Sequence, residues 1–66
     1  MEIFSKRLIQ LRQEQGLSQR ALAKETGISP SAIKQWENES RVPNAEAIVI
    51  LARYFGVRSD FLLGLE

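Results

Sequence analysis

Apolar residues recur at helical spacing along almost the whole chain. Phe4, Leu8 and Leu11 fall at i, i+4 and i+7, with Gln10, Gln13 and Glu14 suited to a wet face. This pattern predicts a first helix over 3–15, ended by Gly16, where a left-handed residue suits a helix end. Leu22, with Ala21 or Ala23 turned the same way, marks a short second helix over about 19–25. Ser18 stands at its start as a cap, Gly27 makes the turn after it, and Ile28 is expected to plug the core beneath. Ser29 and Pro30 repeat the signal for a helix start, a capping hydroxyl followed by proline at the first helical position. Ile33 and Trp36 share one face of this third helix, which runs from Pro30 to about Asn38. Ser31, Lys34, Gln35 and Asn38 fall on its other faces.

The period breaks over 39–43, where Pro43 biases Val42 away from helix, so this stretch reads as a loop. Asn44 offers a cap for a fourth helix over 45–55, with Ala45, Ile48, Leu51, Ala52 and Phe55 at helical spacing, and Gly56 stops it. A last short helix over about 59–63 brings Phe61 or Leu62 back to the core. No strand signal, internal repeat or low-complexity linker is present. The fold class that follows is all-α, five helices with short loops, forming a single domain over 1–66. Within it, two short capped helices around a glycine turn, at about 18–38, have the shape of a helix-turn-helix.

Size and composition narrow the chemistry. A 66-residue chain has a small core, and below about 70–80 residues a single core seldom supplies more than about 3–5 kcal/mol. With no cysteine and no histidine, neither disulfides nor soft metal ligands contribute, so no metal and no cofactor are expected. Carboxylates exist, but there is no glycine-rich phosphate loop and no conspicuous acid pair, so an enzyme or a small-molecule substrate is not expected. The net charge of +1 neither argues for nucleic acid nor excludes it. The longest apolar run, 47–52, is far too short to cross a bilayer, and no secretory signal is visible at the start. An intracellular protein without a membrane partner is the resulting expectation. One apolar excess stands out: Val49, Ile50, Tyr54, Phe61, Leu62, Leu63 and Leu65 cannot all face inward in so small a fold. Some of that surface should be exposed or paired.

The segments RLIQLRQEQGLSQRALAKETGIS and AIKQWENE, then Pro43, then LARYFGV and FLLG, agree in order and spacing with one family. From about Phe4 to Gly64 the chain resembles the Cro/repressor-type helix-turn-helix family of phage and bacterial transcription regulators. The resemblance implies a lambda-repressor-like five-helix bundle in the bacterial cytoplasm and nucleoid. It also implies sequence-specific binding to operator DNA, usually as a homodimer on a palindromic site. In the family's docking, helix 2 starts against the DNA backbone and helix 3 enters the major groove. Gln19 matches the family's phosphate-binding glutamine. Pro30, Ser31 and Gln35 match its base readers, with Lys34 adjacent.

Proline offers only apolar contact, and serine is short and ambiguous. Gln35 can pair bidentately with adenine N6 and N7, and Lys34 can reach guanine or a phosphate. Ser18, Ser29, Asn38 and Arg41 are candidate phosphate contacts, the two serines at helix starts where backbone N–H groups also favour anions. The family pattern further pairs Arg12 with Glu37 in a partly buried salt bridge, which the residues alone would leave as two solvated charges. Two positions depart from the pattern. Glu39 stands where glycine is common, which implies strain if that residue needs a positive φ. Arg58 stands where serine often caps the last helix. The alternative to a DNA-binding regulator is a protein-interaction module, such as an antitoxin-like or regulator-binding domain that uses the apolar fourth helix and tail.

Overall fold

In the computed structural model, which describes residues 1–66, helix formation follows the caps. The helices are α1 (Glu2–Glu14), α2 (Gln19–Thr26), α3 (Pro30–Glu37), α4 (Ala45–Phe55) and α5 (Ser59–Leu63). Ser18 Oγ accepts from the Ala21 N–H at 3.0 Å, Ser29 Oγ from Ala32 at 3.1 Å, and Asn44 Oδ1 from Ala47 at 2.8 Å. Each thereby satisfies one of the donors that a helix start leaves unpaired. α5 begins after Arg58 with no side-chain cap, so its five residues depend on packing. Gly27 has φ 76°, the left-handed conformation that closes α2 and turns the chain into α3.

The core is built from one face of every helix. Phe4 and Leu8 come from α1, Leu22 and Ala23 from α2, and Ala32, Ile33 and Trp36 from α3. Ala47, Ile48, Leu51 and Ala52 come from α4, and Leu62 from α5. Trp36 meets Phe4 edge to face, centroids 6.1 Å apart, a favoured aromatic geometry. Its indole N–H is buried with no acceptor, and the ring, 4% exposed, is a core group rather than a surface for stacking on a base.

Several expectations shift by a residue or a face. Ala45, expected on the inner face of the fourth helix, is exposed; Ala47 takes its place, so the buried stripe runs 47, 48, 51, 52. Phe55 is only half-buried, packed edge to face on Tyr54. Ile28 is also half-buried, sealing the edge of the core rather than filling it. The first helix spans 2–14 rather than 3–15: Ser5 N–H bonds the Met1 carbonyl at 3.1 Å at its start, and Leu17 N–H turns back to the Arg12 carbonyl at 3.1 Å at its end. The third ends at Glu37, with Asn38 as its C-cap.

Ser5 and Arg7 each tie α1 to its neighbours. The buried Ser5 hydroxyl lies between the Met1 carbonyl at 3.0 Å and the Trp36 carbonyl, linking α1 to the end of α3. The Arg7 guanidinium stacks 4.4 Å from the Phe61 ring centre, donates to the Phe61 carbonyl, and reaches both Glu66 carboxylate oxygens at 2.7 Å. Those hydrogen bonds hold the Glu66 carboxyl below the usual carboxylate range. A lowered carboxyl pKa means that this tie is present at neutral pH and is lost as pH falls through the lowered value.

Glu39 has φ 66°, a region that costs a side-chain-bearing residue about 1–2 kcal/mol. The turn needs that conformation, since it lets Ser40 N–H reach back to the Gln35 carbonyl at 2.9 Å. Glu39→Gly is therefore expected to stabilise the chain by about 1 kcal/mol, net of the glycine entropy cost, and to raise the thermal midpoint by about 4–8 °C. A lowered midpoint in a calorimetric scan would show that the turn carries no strain.

Candidate nucleic-acid interface

α3 has two opposite faces, as its sequence period of about 100° per residue dictates. Ala32, Ile33 and Trp36 are buried. Ser31, Lys34 and Asn38 are exposed and Gln35 is half-buried. Residues 31, 34, 35 and 38 are spaced by three and four, so they form one continuous polar stripe. Pro30 is exposed at the tip where α3 begins. The structure thus brings all four candidate base readers onto one outward surface.

The candidate phosphate contacts fall into two groups. Ser18 and Ser29 spend one oxygen lone pair each on their caps and leave the hydroxyl proton free. They mark the starts of α2 and α3, where unpaired backbone N–H groups and the helix dipole favour an anion. Asn38 Oδ1 accepts from Ser40 N–H at 2.9 Å, so its amide N–H₂ is what remains for a partner. Arg41 is exposed, with its Nη1 3.4 Å from Gln35 Oε1.

Gln19 stands apart. Its Nε2 donates to Glu37 Oε1 at 3.0 Å, so this amide is anchored within the protein. Glu37 is the centre of a partly buried network. Arg12 Nε donates to Glu37 Oε2 at 2.6 Å and Arg12 Nη2 to Oε1 at 2.7 Å, a fork-to-fork pair. Arg12 Nη1 also donates to the Leu17 carbonyl at 2.8 Å. The two charged side chains retain 14% and 6% of their accessible surface, so this pair is largely shielded from water at the edge of the core. Its hydrogen bonds to Glu37 raise the Arg12 pKa, against the effect of burial, so the guanidinium stays charged at every working pH. One network therefore joins α1, the start of α2 and the end of α3. It fixes the angle at which α3 is presented.

Three further residues belong to this region. Ser5 looks like a solvated residue between Phe4 and Lys6; only the tertiary fold buries it against Trp36. Arg20 and Lys24 are exposed cations on α2 beside an open cleft that also touches Ile28 and Pro30. Their spacing of four residues is a signal that sequence could have supplied, since it places both on one helix face. They place positive charge beside the turn and the start of α3, in a molecule whose net charge is only +1.

The profile of the helix-turn-helix family matches residues 8–62. The chain is 40% identical over 63 residues to the uncharacterized HTH-type transcriptional regulator YobD of Bacillus subtilis strain 168, covering 96% of this chain and 56% of that protein. It is 36% identical to the HTH-type transcriptional activator BcrR of Enterococcus faecalis, over 96% of this chain and 31% of that one. It is 30% identical to the HTH-type transcriptional regulator ImmR of Bacillus subtilis, over 96% of this chain and 50% of that protein. The chain thus spans between 31% and 56% of the length of these relatives. No solved structure matches it.

Proposed function

The chain belongs to the Cro/repressor-type helix-turn-helix family, and from that premise we propose that it is the DNA-binding domain of a transcription regulator that recognises operator DNA through α3. The observation that carries this reading is the outward stripe of Ser31, Lys34 and Gln35 with Pro30 at its tip, opposite a face wholly given to the core. A helix of that design fits the major groove with its N-terminal residues toward base edges. Ser18, Ser29, Asn38 and Arg41 set the register on phosphates. Gln19 is held by Glu37 through its Nε2, and its backbone N–H, at the start of α2, is the group it offers to a phosphate. Occupancy of an operator excludes other proteins from it, so repression is the regulatory sense proposed.

Two copies on a palindromic site complete the reading. Val49 is 45% exposed, Ile3 46% and Leu65 70%, apolar surface available to a second copy. A side chain at Gly64 would run into Ile3, so the end of α5 comes close to the start of α1. Two-fold pairing places the two α3 helices about 34 Å apart, one turn of DNA. Sedimentation that returns a monomer both free and on DNA would remove the homodimer from this proposal.

No helix is long and apolar enough to cross a membrane. Family membership and the relatives support a DNA-binding role rather than an enzymatic one for this domain.

Mobility shift against random duplex, across a salt series, tests DNA binding itself. With three or four cations per copy near the interface, log affinity should fall with log salt at a slope of about −3 per copy. A failure to shift any duplex at low salt would instead support a protein-interaction module that uses the apolar surface.

A further inference from the structure

Residues 38–41 fold back onto one residue of the recognition helix. The left-handed Glu39 brings Ser40 N–H to the Gln35 carbonyl at 2.9 Å and Arg41 N–H to the same carbonyl at 3.3 Å. Ser40 Oγ donates to it as well, at 3.4 Å. This turn fixes the Arg41 backbone beside Gln35, and the Arg41 Nη1 then lies 3.4 Å from Gln35 Oε1. A guanidinium carries five donors and no acceptor, so the amide atom that faces it is the oxygen and not the nitrogen. The other end of the amide, Nε2, is turned away from Arg41.

That orientation has a consequence for readout. Adenine presents a donor at N6 and an acceptor at N7, and a glutamine reads both only with its oxygen toward N6 and its nitrogen toward N7. The carbonyl oxygen has two lone pairs, so it can accept from Arg41 and from adenine N6 together. Without Arg41 the outward amide is free to flip, and the flipped form meets adenine with both groups mismatched.

We propose that Arg41 is a specificity-positioning residue: it fixes the Gln35 amide in the sense that reads adenine. This rests on the reading of Gln35 as a base reader. A phosphate contact by Arg41 acts on all sequences alike, whereas this role acts at one base pair.

The test measures binding of the wild-type protein, Gln35→Ala, Arg41→Ala and the double variant. Each is titrated against the preferred duplex selected from a random pool and against duplexes changed at single base pairs. Arg41 is exposed and outside the core, so its removal leaves folding intact, as a thermal scan on each variant verifies. Gln35→Ala should abolish preference at one base pair. Arg41→Ala should reduce preference at that same base pair roughly two- to tenfold, the worth of a surface hydrogen bond, and at no other. In the Gln35→Ala background, Arg41→Ala should change affinity for every duplex equally. If Arg41→Ala weakens all duplexes uniformly while Gln35→Ala acts at one base pair, Arg41 is a phosphate contact alone and the proposal is overturned. If Gln35→Ala alters no base preference, the reading of Gln35 itself fails and the role of Arg41 falls with it.

Discussion

Glu37→Ala is expected to cost about 3 kcal/mol of stability, the low end for a buried pair, because it leaves the largely shielded Arg12 guanidinium without its counter-charge. A chain of 66 residues has roughly 3–10 kcal/mol in all, at about 0.05–0.15 kcal/mol per residue. The variant should therefore be largely unfolded, or fold with a thermal midpoint lowered by more than about 12 °C. An exposed ion pair contributes only about 0.2–1 kcal/mol, so burial decides the size of the effect. Arg12→Ala should cost a similar amount, since it strands the carboxylate with only the Gln19 amide and also removes the donor to the Leu17 carbonyl.

The control is the paired replacement Arg12→Met with Glu37→Leu. It strands no charge and fills the same space, so it should be far more stable than either single variant. Urea unfolding of the three proteins measures this directly. Single variants within about 1 kcal/mol of wild type would show that the pair behaves as a surface contact.

The second large effect concerns recognition. Gln35→Ala should reduce discrimination between the preferred operator and its single-base variant by about 1–3 kcal/mol, roughly 5- to 150-fold in relative affinity. Its affinity for random duplex should hardly change, because sequence-independent grip comes from phosphate contacts and helix ends. Among the outward residues of α3, Gln35 has the only amide in the middle of the stripe, flanked by a short serine and a flexible lysine. Competition titrations with operator and random DNA separate the two terms. Equal loss on both would mean that Gln35 contributes no base readout.

Much of this architecture is legible in residue spacing. Ser18, Ser29 and Asn44 announce helix starts through local hydrogen bonds, and local chemistry survives folding unchanged. Leu22, Ile33, Trp36 and Leu51 are buried because a helical stripe has one inner face. What spacing does not convey is rotation about a helix axis and contact across the chain. Ala45 and Ala47 are equally apolar, and only packing against the other helices selects Ala47. Ser5 lies 31 residues from the carbonyl it binds.

The interface shows the same division. The polar stripe of α3 follows from its period, and the Arg12–Glu37 pairing was implied by family likeness rather than by the residues. The anchoring of Gln19 on Glu37 and the approach of Arg41 to Gln35 depend on how the 38–41 turn and the start of α2 meet α3 in space. Glu39 is instructive in this respect. A glutamate gives no local signal for positive φ, yet the hydrogen bonds of the turn to Gln35 hold it there.

Selection of bound duplexes from a random DNA pool tests the central claim most directly. The predicted result is a converged half-site that contains adenine at the Gln35 position, repeated with two-fold symmetry one helical turn away. A pool that shows no enrichment after repeated rounds, while the protein remains folded, would contradict sequence-specific recognition by α3.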